Sequence, residues 1–201
     1  MLLSHSHTSP FVRKVIVLLH ETGLVDDVTI ETVDGWSEPE QLTDDNPLSM
    51  VPTLVLDDGS SLYDSPVICD FLDHRHAGPA MIPADGAARW QVLREQALAD
   101  GILDSAVLIF VETGKRPEDK RWDWWLELKR RAITRSLDLL EQRVDELGGR
   151  VDLGTISIAV ALAYLDLRGA VGEWRDPRPR LAAWFAEFAQ RPSMIATAPP
   201  A

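Results

Sequence analysis

Cysteine is nearly absent: Cys69 is the only one in 201 residues, so no disulfide can form within one chain, which agrees with a reducing compartment. Long apolar runs are missing too. None approaches the ~18 to 20 residues that a membrane span requires, and Met1-Leu2-Leu3 leads at once into Ser4-His5-Ser6-His7. The expectation is a cytoplasmic protein with neither a signal peptide nor a membrane partner. Positive charge is scarce: 20 Lys and Arg stand against 32 Asp and Glu, a formal net charge of −12. A protein that binds phosphate backbones needs a basic face, so nucleic acid is not an expected partner. The shortage is sharpest between Glu21 and Asp73, where fourteen Asp and Glu occur without one Lys or Arg.

What is present suits a folded chain, with 45% apolar and 26% charged residues. The length allows one extended domain or two modest ones. Leu2–His5 reads as a strand. Phe11, Val15, Leu18 and Leu19 then recur at helical spacing over Pro10–Thr22, with Gly23 as C-cap. Residues 28–33 alternate as a strand, and 36–50 lack periodicity, a loop with room for one short helix. Residues 53–56 and 61–63 flank Asp57-Asp58-Gly59-Ser60 as a hairpin, and a helix is predicted from Pro66 to about His76.

This order of strands and helices predicts a small α/β domain over residues 1–77. Gly78, Pro79, Pro83 and Gly86 give 78–86 the composition of a linker. An all-helical domain is predicted over 87–201, with helices near 87–111, 117–147, 152–168 and 178–190 and a frayed tail from Ser193 to Ala201.

Three local features fall in fixed order: Thr8-Ser9-Pro10-Phe11-Val12-Arg13-Lys14-Val15, then Asn46-Pro47-Leu48-Ser49-Met50-Val51-Pro52-Thr53-Leu54, then Tyr63-Asp64-Ser65-Pro66-Val67-Ile68. Pro10 suits the first position of a helix and makes Ser9 the natural N-cap, its hydroxyl beside the positive helix end. A thiol placed there ionises more easily, since an O–H donor and the helix dipole both favour thiolate.

Together these features resemble the bacterial, serine-type glutathione S-transferase family. The segments Leu98-Ala99-Asp100-Gly101-Ile102-Leu103-Asp104 and Ala163-Tyr164-Leu165-Asp166-Leu167-Arg168 extend the resemblance through the helical part. It implies a thioredoxin-like N-terminal domain followed by an all-α bundle. It also implies glutathione as co-substrate without a metal, an apolar electrophile as acceptor, and a homodimer with Asp100 near the dimer contact. By the same resemblance Ser9 stabilises the thiolate. Val51, ahead of a cis Pro52, offers its backbone to the cysteinyl part, and Asp64 and Ser65 hold the γ-glutamyl end.

Family members often carry Lys before the Val-Pro pair, where this chain has Met50. Two helix starts, Gln41 and Arg13 are left to balance the carboxylates of glutathione. A second departure is Asp152-Leu153-Gly154-Thr155, which exchanges the residue types of the family's capping box, so Thr155 is expected to reach back less well than an acid. Two functions stay open: a glutathione transferase, and a non-catalytic binding or dimerisation module of the same fold.

Blander roles stand beside these. Ser9 and Ser65 also suit plain helix caps. Cys69 reads as a small buried hydrophobe. His5 and His7 share a strand face without acids or Cys to complete a metal site, and His7 is a candidate for the pocket mouth. Trp122, Trp124 and Trp125 suit a core seam or an aromatic wall. The basic residues from Lys115 to Arg135 suit a solvated helix face, a lure for anions or a patch for an acidic partner.

Overall fold

Leu3 sits at the centre of a four-stranded sheet, paired with Ile30 on one side and Leu54 on the other. The computed structural model describes residues 1–200. In chain order these form β1 (Leu2–His5), α1 (Pro10–Thr22), β2 (Thr29–Thr32), α2 (Glu40–Asp45), β3 (Thr53–Val55), β4 (Ser61–Leu62) and α3 (Ser65–Asp73). There follow α4 (Gly86–Gly114), α5 (Asp123–Gln142), α6 (Leu153–Arg168), α7 (Pro179–Phe188) and α8 (Pro192–Ala196). Two units result: Met1–Arg89 together with the residues from Pro192 on, and Trp90–Arg191.

In the first unit the sheet order is β2-β1-β3-β4, with β1 parallel to β2 and antiparallel to β3, and β3 antiparallel to β4. This is the thioredoxin-like α/β arrangement expected. Val15, Leu18 and Leu19 of α1 and Ile68, Cys69 and Leu72 of α3 are fully buried with Leu3 and Leu54. Each such aliphatic side chain contributes about 1.5–3 kcal/mol relative to exposure. Helix α3 starts at Ser65 rather than Pro66, with Asp64 in the N-cap position, and stops at Asp73, with His74 as C-cap.

Residues 78–86, with the composition of a linker, are fastened to α3: the Asp73 carboxylate accepts the N–H groups of Met81 (2.6 Å) and Ile82 (2.8 Å), and both of those side chains are buried. One further expectation changes. The tail is not frayed from Ser193, since α8 lies against α1. Met194 is buried, its carbonyl accepts a bond from Arg13 at 3.0 Å, and the Ser193 hydroxyl bonds to Glu21. Ala201, the last residue of that predicted tail, lies outside the described residues.

The second unit is all helical. Helix α6 is apolar on every side and buried from Leu153 to Leu162, the pattern of a central helix. Its start carries a complete reciprocal capping box: Asp152 Oδ1 accepts from Thr155 N–H, and Thr155 Oγ1 accepts from Asp152 N–H, both at 3.0 Å. Thr155 thus reaches back as well as an acid would, contrary to expectation. Helix α5 begins at Asp123 instead of 117, because Glu112 takes the Trp122 N–H at 2.9 Å and holds the intervening chain in a turn. No helix among the described residues is long and apolar enough to cross a membrane.

Candidate functional site

Ser9 leaves β1 and enters α1 as its N-cap, with Pro10 in the first turn. Its Oγ accepts the Val12 N–H at 3.4 Å and donates no hydrogen bond among the described residues. The hydroxyl hydrogen is therefore available at the positive end of a thirteen-residue helix, where it favours a thiolate.

The Val51–Pro52 peptide is cis, as the resemblance implied, and so is Tyr63–Asp64. Pro52 is buried and Val51 half-buried, just ahead of β3. The loop before them is organised by Asn46, which sequence reasoning quoted only as part of a motif. Asn46 is 1% exposed. Its Nδ2 donates to the Met50 carbonyl (3.1 Å) and Thr53 Oγ1 (3.0 Å), and its Oδ1 accepts from Leu48 N–H (3.0 Å). The readable signal was a polar amide four residues after Leu42, the buried residue of α2, placed before a proline where the chain must turn.

Ser65 is the other feature with chemical consequence. The residue is 1% exposed, and its Oγ has no hydrogen-bond partner. A buried hydroxyl without a partner costs about 1–3 kcal/mol, so such an atom at a helix start points to a ligand acceptor. The first-turn N–H groups of Ser65 and Val67 also lack partners within α3, and Pro66 has no N–H to contribute. Hydroxyl and amides thus form a donor set suited to a carboxylate. Asp64 is exposed and makes no capping bond, leaving its carboxylate for an ammonium group.

The remaining candidates fall elsewhere. Gln41 is exposed on α2 and directs its Nε2 toward Glu31 of β2 at 3.5 Å. Met50 exposes 62% of its surface. Arg13 is engaged by the Met194 carbonyl and the Thr197 hydroxyl (3.4 Å), and burial lowers its pKa. His5 and His7 meet edge to face at 4.7 Å, and His5 contacts Thr32 Oγ1 at 3.3 Å. Burial, and then the charge of His7, push His5 below its ordinary value and favour its neutral form. Cys69 is buried. Trp122 and Trp124 are exposed, 5.0 Å apart between ring centroids, so they are not core; Lys129 Nζ stands 4.2 Å from the Trp125 ring.

Comparison with known proteins places this geometry. Residues 8–75 match the model of the glutathione S-transferase N-terminal domain, and residues 124–187 that of the C-terminal domain. The uncharacterized GST-like protein YibF of Escherichia coli (strain K12) is 36% identical over 205 residues, covering 100% of this chain and 99% of that protein. A glutathione transferase family member from Pseudomonas fluorescens Pf-5, solved with bound glutathione, is 47% identical, covers 100% of this chain and 99% of its own, and superimposes with a TM-score of 0.97. A structure from the same source with bound S-(propanoic acid)-glutathione is 46% identical, covers 100% of both chains and has a TM-score of 0.92.

Proposed function

The chain belongs to the glutathione S-transferase family, and from that premise we propose that it binds glutathione in its first unit and conjugates the thiolate to an electrophile. The observation that carries this is the buried, unpartnered Ser65 Oγ at the start of α3. It fits a group that brings a carboxylate, and glutathione brings one at its γ-glutamyl end. The relatives that hold glutathione or its propanoic acid conjugate support the same reading.

When bound, glutathione supplies the thiol nucleophile. Ser9 donates its hydroxyl hydrogen to the sulfur and, with the α1 dipole, favours the thiolate. The thiol proton leaves to solvent, and the sulfur forms a bond to the electrophilic carbon. That carbon either expels its leaving group with the bonding pair or shifts its π pair to the adjacent atom, which takes a proton from water. Val51 holds the cysteinyl backbone through its own N–H and C=O. Ser65 and the first-turn amides of α3 take the γ-glutamyl carboxylate, and Asp64 pairs with the adjacent ammonium. The proposal includes a cytoplasmic homodimer. Val67 and Trp90 expose large apolar surfaces in keeping with one, and sedimentation equilibrium tests it.

Calorimetry with glutathione tests the binding, and the ultraviolet absorbance of bound thiolate across pH tests the role of Ser9. Ser9→Ala is expected to raise the pH at which the bound thiol ionises and to slow conjugation, while glutathione still binds. Absence of binding at millimolar glutathione overturns the proposal.

A second reading is a non-catalytic member of the family. Met50 in the usual place of a cation favours it, as does the engagement of Arg13 by the C-terminal segment. Binding of glutathione without turnover of any electrophile is its signature.

A further inference from the structure

Every Lys and Arg of the first unit is already engaged. Arg13 binds the Met194 carbonyl and the Thr197 hydroxyl, and Lys14 is fully buried. The Arg75 guanidinium lies 5.1 Å from the Phe71 ring centroid, and Arg89 donates to the Pro83 carbonyl at 3.2 Å. None of the four falls between Glu21 and Asp73, the stretch that holds fourteen acids.

Sheet order decides which surroundings a bound tripeptide meets last. Ser65 follows β4 at one edge of the sheet, and Val51 precedes its neighbour β3. A γ-glutamyl group at Ser65 and a cysteine beside Val51 therefore carry the third residue away from β4, toward the side of β1 and β2. There the turn of residues 35–37, which follows β2, packs on the loop before Val51: a Cβ on Gly35 would stand 3.8 Å from the Ser49 carbonyl oxygen. Trp36, Leu48 and Met50 are large and exposed on this turn and loop. The nearby backbone donors are taken. Trp36 N–H goes to Asp34 Oδ1 (3.1 Å), Ser37 N–H to the Asp34 carbonyl (3.1 Å), Leu48 N–H to Asn46 Oδ1 (3.0 Å) and Ser49 N–H to the Asn46 carbonyl (2.8 Å). Asp34, Glu38 and Asp44 are exposed on the same turn and on α2. A carboxylate arriving here gives up water, meets neither a cation nor these amides, and is repelled by the acids. An amide in its place removes the charge and brings N–H donors to acceptors, and an amine carried beyond that amide adds attraction.

We propose that the thiol peptide preferred by this unit has its C-terminal carboxylate masked as an amide, so that the end beyond the cysteine meets Trp36, Leu48 and Met50 without a negative charge. This rests on the function proposed above and names the class of its thiol substrate, a γ-glutamylcysteinyl peptide with an amide-capped third residue.

Calorimetry at low salt compares glutathione, glutathione amide and glutathione joined to ethylenediamine through its glycyl carbonyl, each with the full chain as wild type and as Met50→Lys. Wild type is expected to bind the amide about threefold more tightly than glutathione, and the ethylenediamine amide about threefold more tightly again, both gaps narrowing as salt is added. The first gap alone identifies a neutral end as the preferred one, and both together identify a cationic end. Met50→Lys is expected to tighten glutathione and to abolish or reverse the order. Wild type that binds glutathione as tightly as its amide overturns the proposal and leaves the transferase reading standing. An order that Met50→Lys does not alter also overturns it, since the end of the peptide then lies elsewhere. Binding of none of the three removes this proposal and the transferase reading together.

Discussion

Asn46 donates its side-chain amide to the carbonyl of Met50, 3.1 Å away, and so closes the loop that presents Val51. The same nitrogen reaches Thr53 Oγ1, so one buried residue ties both sides of the Val51–Pro52 pair. Asn46→Ala removes one donor each from the Met50 carbonyl and Thr53 Oγ1, which still bond to each other at 2.8 Å, and leaves the Leu48 N–H short of an acceptor. The expected loss is about 1–3 kcal/mol of stability, read by chemical denaturation, with weaker glutathione binding in the variant that remains folded.

Ser65→Ala separates a ligand hydroxyl from a structural one. A structural hydroxyl stabilises the free protein, whereas an unpartnered one is a cost that its removal relieves. The ligand-free variant is therefore expected to melt at the same or a higher temperature than wild type, while glutathione affinity falls about tenfold. Lower thermal stability with unchanged affinity contradicts the assignment.

Met50→Lys places a cation in a stretch that has none from Glu21 to Asp73. The side chain is exposed, so screening limits the gain, and a few-fold tighter glutathione binding at low salt is expected. Unchanged affinity means that the glycyl carboxylate is held elsewhere.

Glu112 predicts an acid-sensitive turn. The Trp122 N–H, and then Arg116, hold its carboxyl below the ordinary value of 4.5, so the unfolded chain binds the proton more readily than the folded one. Its contribution is complete above that ordinary value and is lost as pH falls through the lower folded value. Tryptophan fluorescence is expected to change over that acid range, and Glu112→Gln to remove the transition.

Much of the fold was legible because its signals are local. Ser9-Pro10 marks a helix start, Gly23 its end, and the Val51-Pro52 pair reads the same in sequence and structure. What escaped depends on side chains that find backbone partners after the chain has folded. Asp73 looks like a solvated acid at a helix end, yet it fastens Met81 and Ile82. Glu112 holds a turn where residues 117–122 read as the start of a helix, and Ser65 differs from an ordinary cap only through burial that no pattern of residue types displays. Thr155 completes its capping box by geometry, where residue preference predicted a weaker one.

The contact of α8 with α1 bears on the order in which the protein is made. Met194 and Ser193 belong to the unit that Met1 begins, although the whole helical unit is translated between them. A nascent chain leaving the ribosome therefore holds an unfinished first unit, with α1 uncovered where α8 will lie, until residues 192–196 have emerged.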